Sequence, residues 1–130
     1  MKKYLYTVAA LLLLAGAQAR AETRVTPLIT HDLSGIPGKE GAMLVVDYAP
    51  GGSDPIHRHN ASVFVYVLEG SVVMQVRGQK AVTLTKGETF FEGPNDVHLV
   101  GRNASQTKPA KFLAFFVKDA STPFVLPEKH

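Results

Sequence analysis

Two histidines one residue apart are the first feature of this 130-residue chain that could do chemistry. His57 and His59 lie between a glycine-rich turn and an apolar run, in the stretch from Gly51 to Gly70. In an extended segment, side chains two residues apart point to the same face, so the two imidazoles can converge on one point. Neutral imidazoles bind zinc, iron, copper and nickel. The pair therefore predicts two corners of a metal site, and the alternative is a loop with two exposed histidines.

Short apolar strands separated by turns must position this pair. Glycine and proline clusters divide the chain into these strands, and no sustained helical period runs from Glu22 to Lys118. Many short strands with turns at short intervals indicate one all-β domain, a sandwich, barrel or jelly roll. The predicted strands lie around residues 25–29, 42–48, 62–68, 71–77, 80–85, 89–91, 97–100 and 111–117.

The first 21 residues have the pattern of a secretory signal peptide. Lys2 and Lys3 give a basic start, residues 5–15 form an apolar core, and small residues around Ala19–Ala21 offer a cleavage site. The alternative is a membrane anchor, but the apolar run is shorter than the ~20 residues that a bilayer helix needs. We expect a periplasmic or secreted protein that is not attached to the membrane after cleavage. The expected organisation is a signal peptide over 1–21, a lead-in over 22–41, a β-barrel domain over 42–118 and a tail over 119–130.

Charge and cysteine content exclude several classes of function. The whole chain has 14 basic and 11 acidic residues, a formal net charge of +3. Cleavage after Ala21 removes three of the basic residues and leaves the mature chain neutral. No basic run interleaved with aromatic residues remains, so nucleic-acid binding is not expected. The chain has no cysteine, which excludes disulfides, thiolate ligands and thiol nucleophiles.

The stretch around the histidine pair resembles the first of two motifs of the cupin superfamily, as found in its small single-domain bacterial members. That motif runs from a glycine through five residues to His-x-His, then by three or four residues to a glutamate and by six more to a glycine. Gly51, His57, His59 and Gly70 match this pattern. The glutamate is missing, because Val63 stands in its place.

A second stretch resembles the other cupin motif, in which a glycine and a Pro-x-Gly turn precede a histidine and an asparagine. Gly87, Pro94, His98 and Asn103 are similar to it, although Asn95 stands where a glycine is usual and the asparagine comes one residue late. The two motifs and their strands cover about residues 42–117. The resemblance thus extends over most of the predicted mature chain.

The resemblance implies a jelly-roll β-barrel, or double-stranded β-helix, that holds a divalent metal ion. The implied ligands are His57, His59 and His98, without the usual acid. The ion is left open among iron, zinc, manganese, nickel and copper. Three neutral imidazoles leave the charge of the site at about +2, which favours an anionic substrate or a hydroxide as the next ligand. The alternative is a histidine cluster that is held by hydrogen bonds and binds no metal.

Three polar residues near these motifs are candidates for supporting roles. Glu92, six residues before His98, is expected to be a solvated turn residue, and the alternative is a fourth ligand or a general base. Asn103 could accept a hydrogen bond from the second ring nitrogen of a ligand histidine. Asp96 stands in a turn, where capping of backbone amides is the expected role.

The apolar run over residues 62–68 predicts the pocket and the assembly. If Val63 is inward, Val65 and Val67 share its face and line an apolar pocket for a small organic ligand. Phe64 and Tyr66 then face outward and need a partner surface, which in cupins is often a second subunit, so a homodimer is expected.

The sequence therefore predicts an exported cupin with a three-histidine metal site that acts on a small organic molecule. Dioxygenase, isomerase and lyase chemistry all remain open. The missing glutamate supports an alternative, a non-catalytic cupin that binds a small ligand or stores a metal. A third possibility is an interaction protein with a vestigial site.

Overall fold

The structure, a computed structural model, describes residues 21–128. Within that range the chain forms ten β-strands and no helix, so it contains no helix that is long and apolar enough to cross a bilayer. The predicted signal peptide lies, except for Ala21, outside the described residues. The strands are β1 (Thr23–Asp32), β2 (Lys39–Tyr48), β3 (His57–Arg58), β4 (Ala61–Glu69), β5 (Ser71–Val76), β6 (Val82–Thr85), β7 (Thr89–Glu92), β8 (Val97–Asn103), β9 (Ala110–Asp119) and β10 (Leu126–Pro127).

The strands form two five-stranded sheets, with the order β1-β2-β9-β4-β7 in one and β10-β3-β8-β5-β6 in the other. All pairings within the sheets are antiparallel. Strands that are neighbours in sequence often lie in different sheets, as in a jelly roll. The predicted all-β, jelly-roll fold class is therefore confirmed.

The core lies between the sheets and follows the period of two that a strand imposes. On β4, Val63, Val65 and Val67 are at most 3% exposed, while Phe64 and Tyr66 are about half exposed. The predicted inward and outward faces of this strand are thus confirmed. Burial of each valine contributes roughly 1.5–3 kcal/mol relative to an exposed side chain.

Both ends of the described chain are more ordered than the sequence indicated. The strand expected over residues 25–29 extends over Thr23–Asp32 and pairs with β2 along its length. Its register shifts between Pro27 and Ile29, and a proline is tolerated there because β1 is an edge strand. The C-terminal tail also forms a strand, because Leu126 and Pro127 pair with β3 beside the histidine pair.

The turn between β4 and β5 depends on the last glycine of the first motif. Gly70 has a φ of 70°, a conformation that L side chains rarely adopt. A Cβ atom there would lie 2.5 Å from the carbonyl oxygen of Pro109. The glycine therefore allows β4 to turn closely against the loop before β9.

Candidate metal centre

Strand β3 and its neighbour β8 bring the three predicted histidines together. His57 is the direct register partner of His98 across the antiparallel pair, and His59 follows two residues later on the same face. All three are buried, with at most 7% of each residue exposed. One ring nitrogen from each lies within 4.8 Å of the others. The structure thus brings the three predicted histidines together at one point. That they bind a metal stays a prediction.

Backbone carbonyl groups determine the tautomers of the first two histidines. Nδ1 of His57 lies 2.7 Å from the carbonyl oxygen of Pro55, and Nδ1 of His59 lies 2.5 Å from that of Phe124. A carbonyl oxygen only accepts hydrogen bonds, so each Nδ1 must carry the proton. In the neutral rings, both Nε2 atoms are then left with a lone pair, the form that binds a metal.

These two Nε2 atoms lie 3.1 Å apart. A hydrogen bond between them requires a second proton on one ring. Without that proton two lone pairs face each other, and a cation bound to both would remove the repulsion. Two nitrogens each about 2.1 Å from one metal ion would be roughly 3.0 Å apart at right angles and roughly 3.4 Å apart at tetrahedral corners. The observed separation therefore fits two neighbouring ligands of one ion.

His98 and Glu92 contribute the remaining polar atoms of the centre. Both ring nitrogens of His98 and Oε1 of Glu92 are buried and lack a hydrogen-bond partner within the described residues. Oε1 lies 3.1 Å from Nδ1 of His98 without the alignment of a hydrogen bond, and Oε2 lies 3.8 Å from Nε2 of His59. Such unpaired atoms are costly in a protein interior unless an ion or water satisfies them. The donor set fits a divalent transition metal.

Glu92 is not a solvated turn residue, so that expectation from the sequence is wrong. Only 3% of it is exposed, and its side chain points between the sheets. Burial raises its pKa to about 7, and the nearby carboxylates of Asp96 and Asp54 add to the effect. Glu92 is the last residue of β7. Only the register of β7 with β4 shows that its side chain faces the interior.

Burial keeps two of the imidazoles neutral. Burial, with a smaller contribution from the neighbouring imidazoles, lowers the pKa of His59 to about 4 and that of His98 to about 3. Neutral imidazole is the form that coordinates a metal. At neutral pH the centre is therefore ready for a cation without loss of protons from these rings.

A tyrosine–aspartate pair beside the histidines was missed from the sequence. The Tyr48 hydroxyl donates a hydrogen bond to Oδ2 of Asp54, and Asp54 lines the same cavity as the histidines. Burial raises the pKa of Asp54, against the lowering effect of the bond from Tyr48. It also raises the pKa of Tyr48 far above its ordinary value. The pair thus holds a proton next to the centre. Tyr48 ends β2 and Asp54 lies six residues later in the loop that follows, whose course no local pattern reveals.

The centre opens into an apolar cavity of about 300 Å³ between the sheets. Its lining combines five ionisable side chains, those of Asp54, His57, His59, Glu92 and His98, with a wall that is otherwise apolar. The C-terminal tail covers part of it through Phe124, whose ring packs against Phe116 with centroids 5.1 Å apart. The apolar lining includes Val25, Pro27, Leu44, Val46, Val63, Val65, Met74, Phe112, Ala114, Phe116, Phe124 and Val125.

Two supporting roles expected from the sequence have different outcomes. Asp96 accepts a hydrogen bond from the backbone amide of Gly93 at 2.6 Å, which confirms the predicted amide cap. Within the described residues, the Asn103 side chain makes no hydrogen bond with any of the three histidines. Its Nδ2 donates to the carbonyl oxygens of Ala49 and Lys108, and its Oδ1 accepts from the Ser105 amide. The prediction that Asn103 accepts a hydrogen bond from a histidine ring is therefore wrong. Asn103 stabilises the loop that crosses the end of the barrel.

The family model described as "Cupin domain" matches residues 44–116. The chain belongs to the cupin family. This cupin is 38% identical over 80 residues to the rhicadhesin receptor of Pisum sativum and 34% identical over 76 residues to germin-like protein subfamily 2 member 4 of Arabidopsis thaliana. The matches cover 58% and 55% of this chain but only 36% and 34% of those proteins. The chain therefore spans about a third of the length of the curated relatives it matches.

Solved structures with the same fold include enzymes. Oxalate oxidase in complex with the substrate analogue glycolate has a TM-score of 0.60 and 26% identity, covering 80% of this cupin and 54% of that chain. A DMSP lyase from Ruegeria pomeroyi has a TM-score of 0.62 and 22% identity, covering 93% and 58%. A cupin domain from Bordetella pertussis has a TM-score of 0.58 and 22% identity, covering 77% and 97%. The last two similarities show the fold alone.

Proposed function

We propose that this cupin binds one divalent transition-metal ion through His57, His59 and His98 and uses it as an enzyme on a small organic molecule. The observation that carries the proposal is the 3.1 Å separation of two Nε2 atoms whose Nδ1 protons are already used by carbonyl groups. A third buried imidazole without a hydrogen-bond partner lies beside them. A structural histidine cluster would pair these nitrogens, so the arrangement supports a metal.

The cavity supports a substrate with one polar head and a small apolar body. Its volume of about 300 Å³ lies at the lower end of the range for small-molecule sites, roughly 300–1,000 Å³. Oxalate oxidase, the enzyme among the similar structures that shares 26% identity, is seen with the small carboxylate glycolate. A small carboxylate or carbonyl compound is the substrate class that we propose.

A bound metal would polarise the oxygen of such a substrate or lower the pKa of a bound water. The protein's own residues then bind the substrate body on the apolar wall and exclude water from it. Asp54 lines the same cavity and shares a proton with Tyr48 through their hydrogen bond, so this pair is the candidate for general acid–base catalysis. Dioxygenase, isomerase and lyase reactions all fit this arrangement.

The alternative of a non-catalytic metal- or ligand-binding cupin is supported by Val63, which stands where the family's motif places a glutamate.

Purified protein loaded in turn with iron, zinc, manganese, nickel and copper would be screened against small carboxylates and carbonyl compounds. Turnover that is lost in the His98→Ala variant supports the enzyme. Metal binding without turnover in any combination supports the alternative.

We also propose that the outer face of β4 is covered in a homodimer. Phe64 and Phe91 are each 51% exposed, and their ring centroids lie 5.1 Å apart on adjacent strands. Sedimentation of the wild type and of a Phe64→Ser, Phe91→Ser variant tests this, with a dimer expected for the first and a monomer for the second. A monomeric wild type would contradict it.

Export remains a proposal that rests on the N-terminal pattern of the sequence. Cell fractionation followed by N-terminal sequencing of the mature protein tests it. A mature chain that begins near Ala21 or Glu22 in the periplasmic or secreted fraction is expected. A cytoplasmic chain with an intact N-terminus would contradict it.

A further inference from the structure

We infer that Glu92 is the fourth ligand of the metal and replaces, from strand β7, the glutamate that the cupin motif places on strand β4. The inference rests on the proposed metal site and adds to it one ligand and one negative charge. It is carried by the strand register and by the contacts of the Glu92 carboxylate.

The register places Glu92 directly opposite the position of the missing acid. Val63, which stands where the motif has its glutamate, is the Cα partner of Glu92 in the antiparallel pair β4·β7. Residues opposite each other in such a pair have Cβ atoms about 4.5–5.5 Å apart and point to the same face. Both side chains are interior, with 1% of Val63 and 3% of Glu92 exposed. A glutamate on either strand can therefore bring its carboxylate to the same part of the cavity.

The carboxylate lies among the metal-binding atoms. Oε2 is 3.8 Å from Nε2 of His59, too far for a hydrogen bond but suitable for two atoms that bind one ion. Oε1 is 3.1 Å from Nδ1 of His98 and has no hydrogen-bond partner. The centre thus has a buried acid at the distance that a shared cation requires.

No basic side chain balances this acid. Within the described residues, the ionic contacts of Glu92 are both to histidines, and Asp54, the other acid that lines the cavity, accepts from Tyr48 instead. A buried carboxylate without a cation is strongly disfavoured, and a divalent metal is a partner that also satisfies its lone pairs. A purely structural role would need the hydrogen bonds that Oε1 lacks.

The fourth ligand changes the charge of the proposed site. Three imidazoles leave a divalent ion at about +2, and Glu92 lowers this to about +1, so the ion is held more firmly and an anionic substrate is attracted less strongly. The net charge then equals that of a site with the acid on β4. Only the strand that supplies the carboxylate differs.

The test removes the carboxylate from position 92 on β7 and restores it at position 63 on β4. Metal-free protein is titrated with Mn²⁺ and with Zn²⁺ by calorimetry, and circular dichroism checks that each variant is folded. Glu92→Gln is expected to weaken binding at least about tenfold. The double variant Val63→Glu, Glu92→Gln returns the acid to β4 and is expected to recover most of the lost affinity. Val63→Gln, Glu92→Gln has the same size without the charge and should not recover it. The exposed Glu69→Gln is the control for a general loss of charge.

If the double variant does not fold, Glu92→His supplies an alternative ligand on β7 and should bind more tightly than Glu92→Gln. Unchanged affinity in Glu92→Gln, together with lost affinity in His59→Ala, would overturn this inference and leave the three-histidine site standing. A wild type that binds neither ion would overturn the proposed site itself. The two failures are therefore distinguishable.

Discussion

Nε2 of His57 and Nε2 of His59 lie 3.1 Å apart, and each ring donates its Nδ1 proton to a backbone carbonyl. The carbonyl groups come from distant parts of the sequence, Pro55 in the first motif and Phe124 in the C-terminal tail. The tail therefore helps to orient the His59 ring, which lies 65 residues earlier and is a proposed metal ligand. This relationship leads to the first prediction.

A chain that ends at Ala120 should bind metal more weakly, by about 10–100-fold, because His59 loses the acceptor that fixes its ring. Phe124 also covers the cavity, and Lys118 lies 4.9 Å from the centre of its ring, so the shortened chain should melt earlier as well. Metal affinity by calorimetry and a thermal melt measure the two effects. A chain that ends at Glu128 is the control, and equal affinity in the two shortened chains would contradict the role of the tail.

Glu92→Gln should change the pH dependence of stability in the metal-free protein. Burial raises the pKa of Glu92 from 4.5 to about 7, so the stability linked to its proton is complete below about pH 4.5 and is lost as the pH rises through about 7. Glutamine cannot ionise. The variant should therefore gain, relative to the wild type, of the order of 2 kcal/mol between about pH 4.5 and pH 7.5.

Chemical unfolding with a chelator present, at several pH values, measures this difference. Glu69→Gln, at an exposed position, should show no pH-dependent difference from the wild type. If the difference in unfolding free energy between Glu92→Gln and the wild type is the same at every pH, the pKa of Glu92 is not raised by burial, and the prediction is contradicted.

Tyr48→Phe should raise the pKa of Asp54. Burial raises that pKa, and the hydrogen bond from the Tyr48 hydroxyl is the larger of the two effects that lower it, so removal of the hydroxyl should raise the pKa further. The ionised Asp54 would also lose its donor, at a cost of about 1–3 kcal/mol. Carboxyl-carbon NMR titration measures the pKa, and Tyr66→Phe on the exposed outer face is the matched control. An unchanged Asp54 pKa would contradict the coupling of the two residues.

Features of the sequence that follow a local period could be predicted. The period of two put Val63, Val65 and Val67 on one face of β4, which the resemblance to the first cupin motif identified as the inward face, and the His-x-His spacing put His57 and His59 on one face. His98 joined them only through the resemblance to the second cupin motif. These inferences agree with the structure because a strand imposes its period of two on every residue within it.

Features that depend on contacts between distant strands could not be predicted. Glu92 resembles a turn residue in sequence, because glycine and proline follow it, and only the register of β7 with β4 places it inside. Asp54 and Phe124 gain their roles from a loop and a tail that fold back over the cavity. The length of β1 likewise depends on its pairing with β2, which overrides the weak local preference of a segment that contains Pro27.

The metal content of the purified protein tests the central claim most directly. Elemental analysis of wild-type protein from its native compartment, with His59→Ala and His98→Ala prepared in parallel, should find about one transition-metal ion per chain in the wild type and little in either variant. All three proteins must be shown to be folded. A wild type without stoichiometric metal, or variants that retain as much metal as the wild type, would contradict the proposed centre.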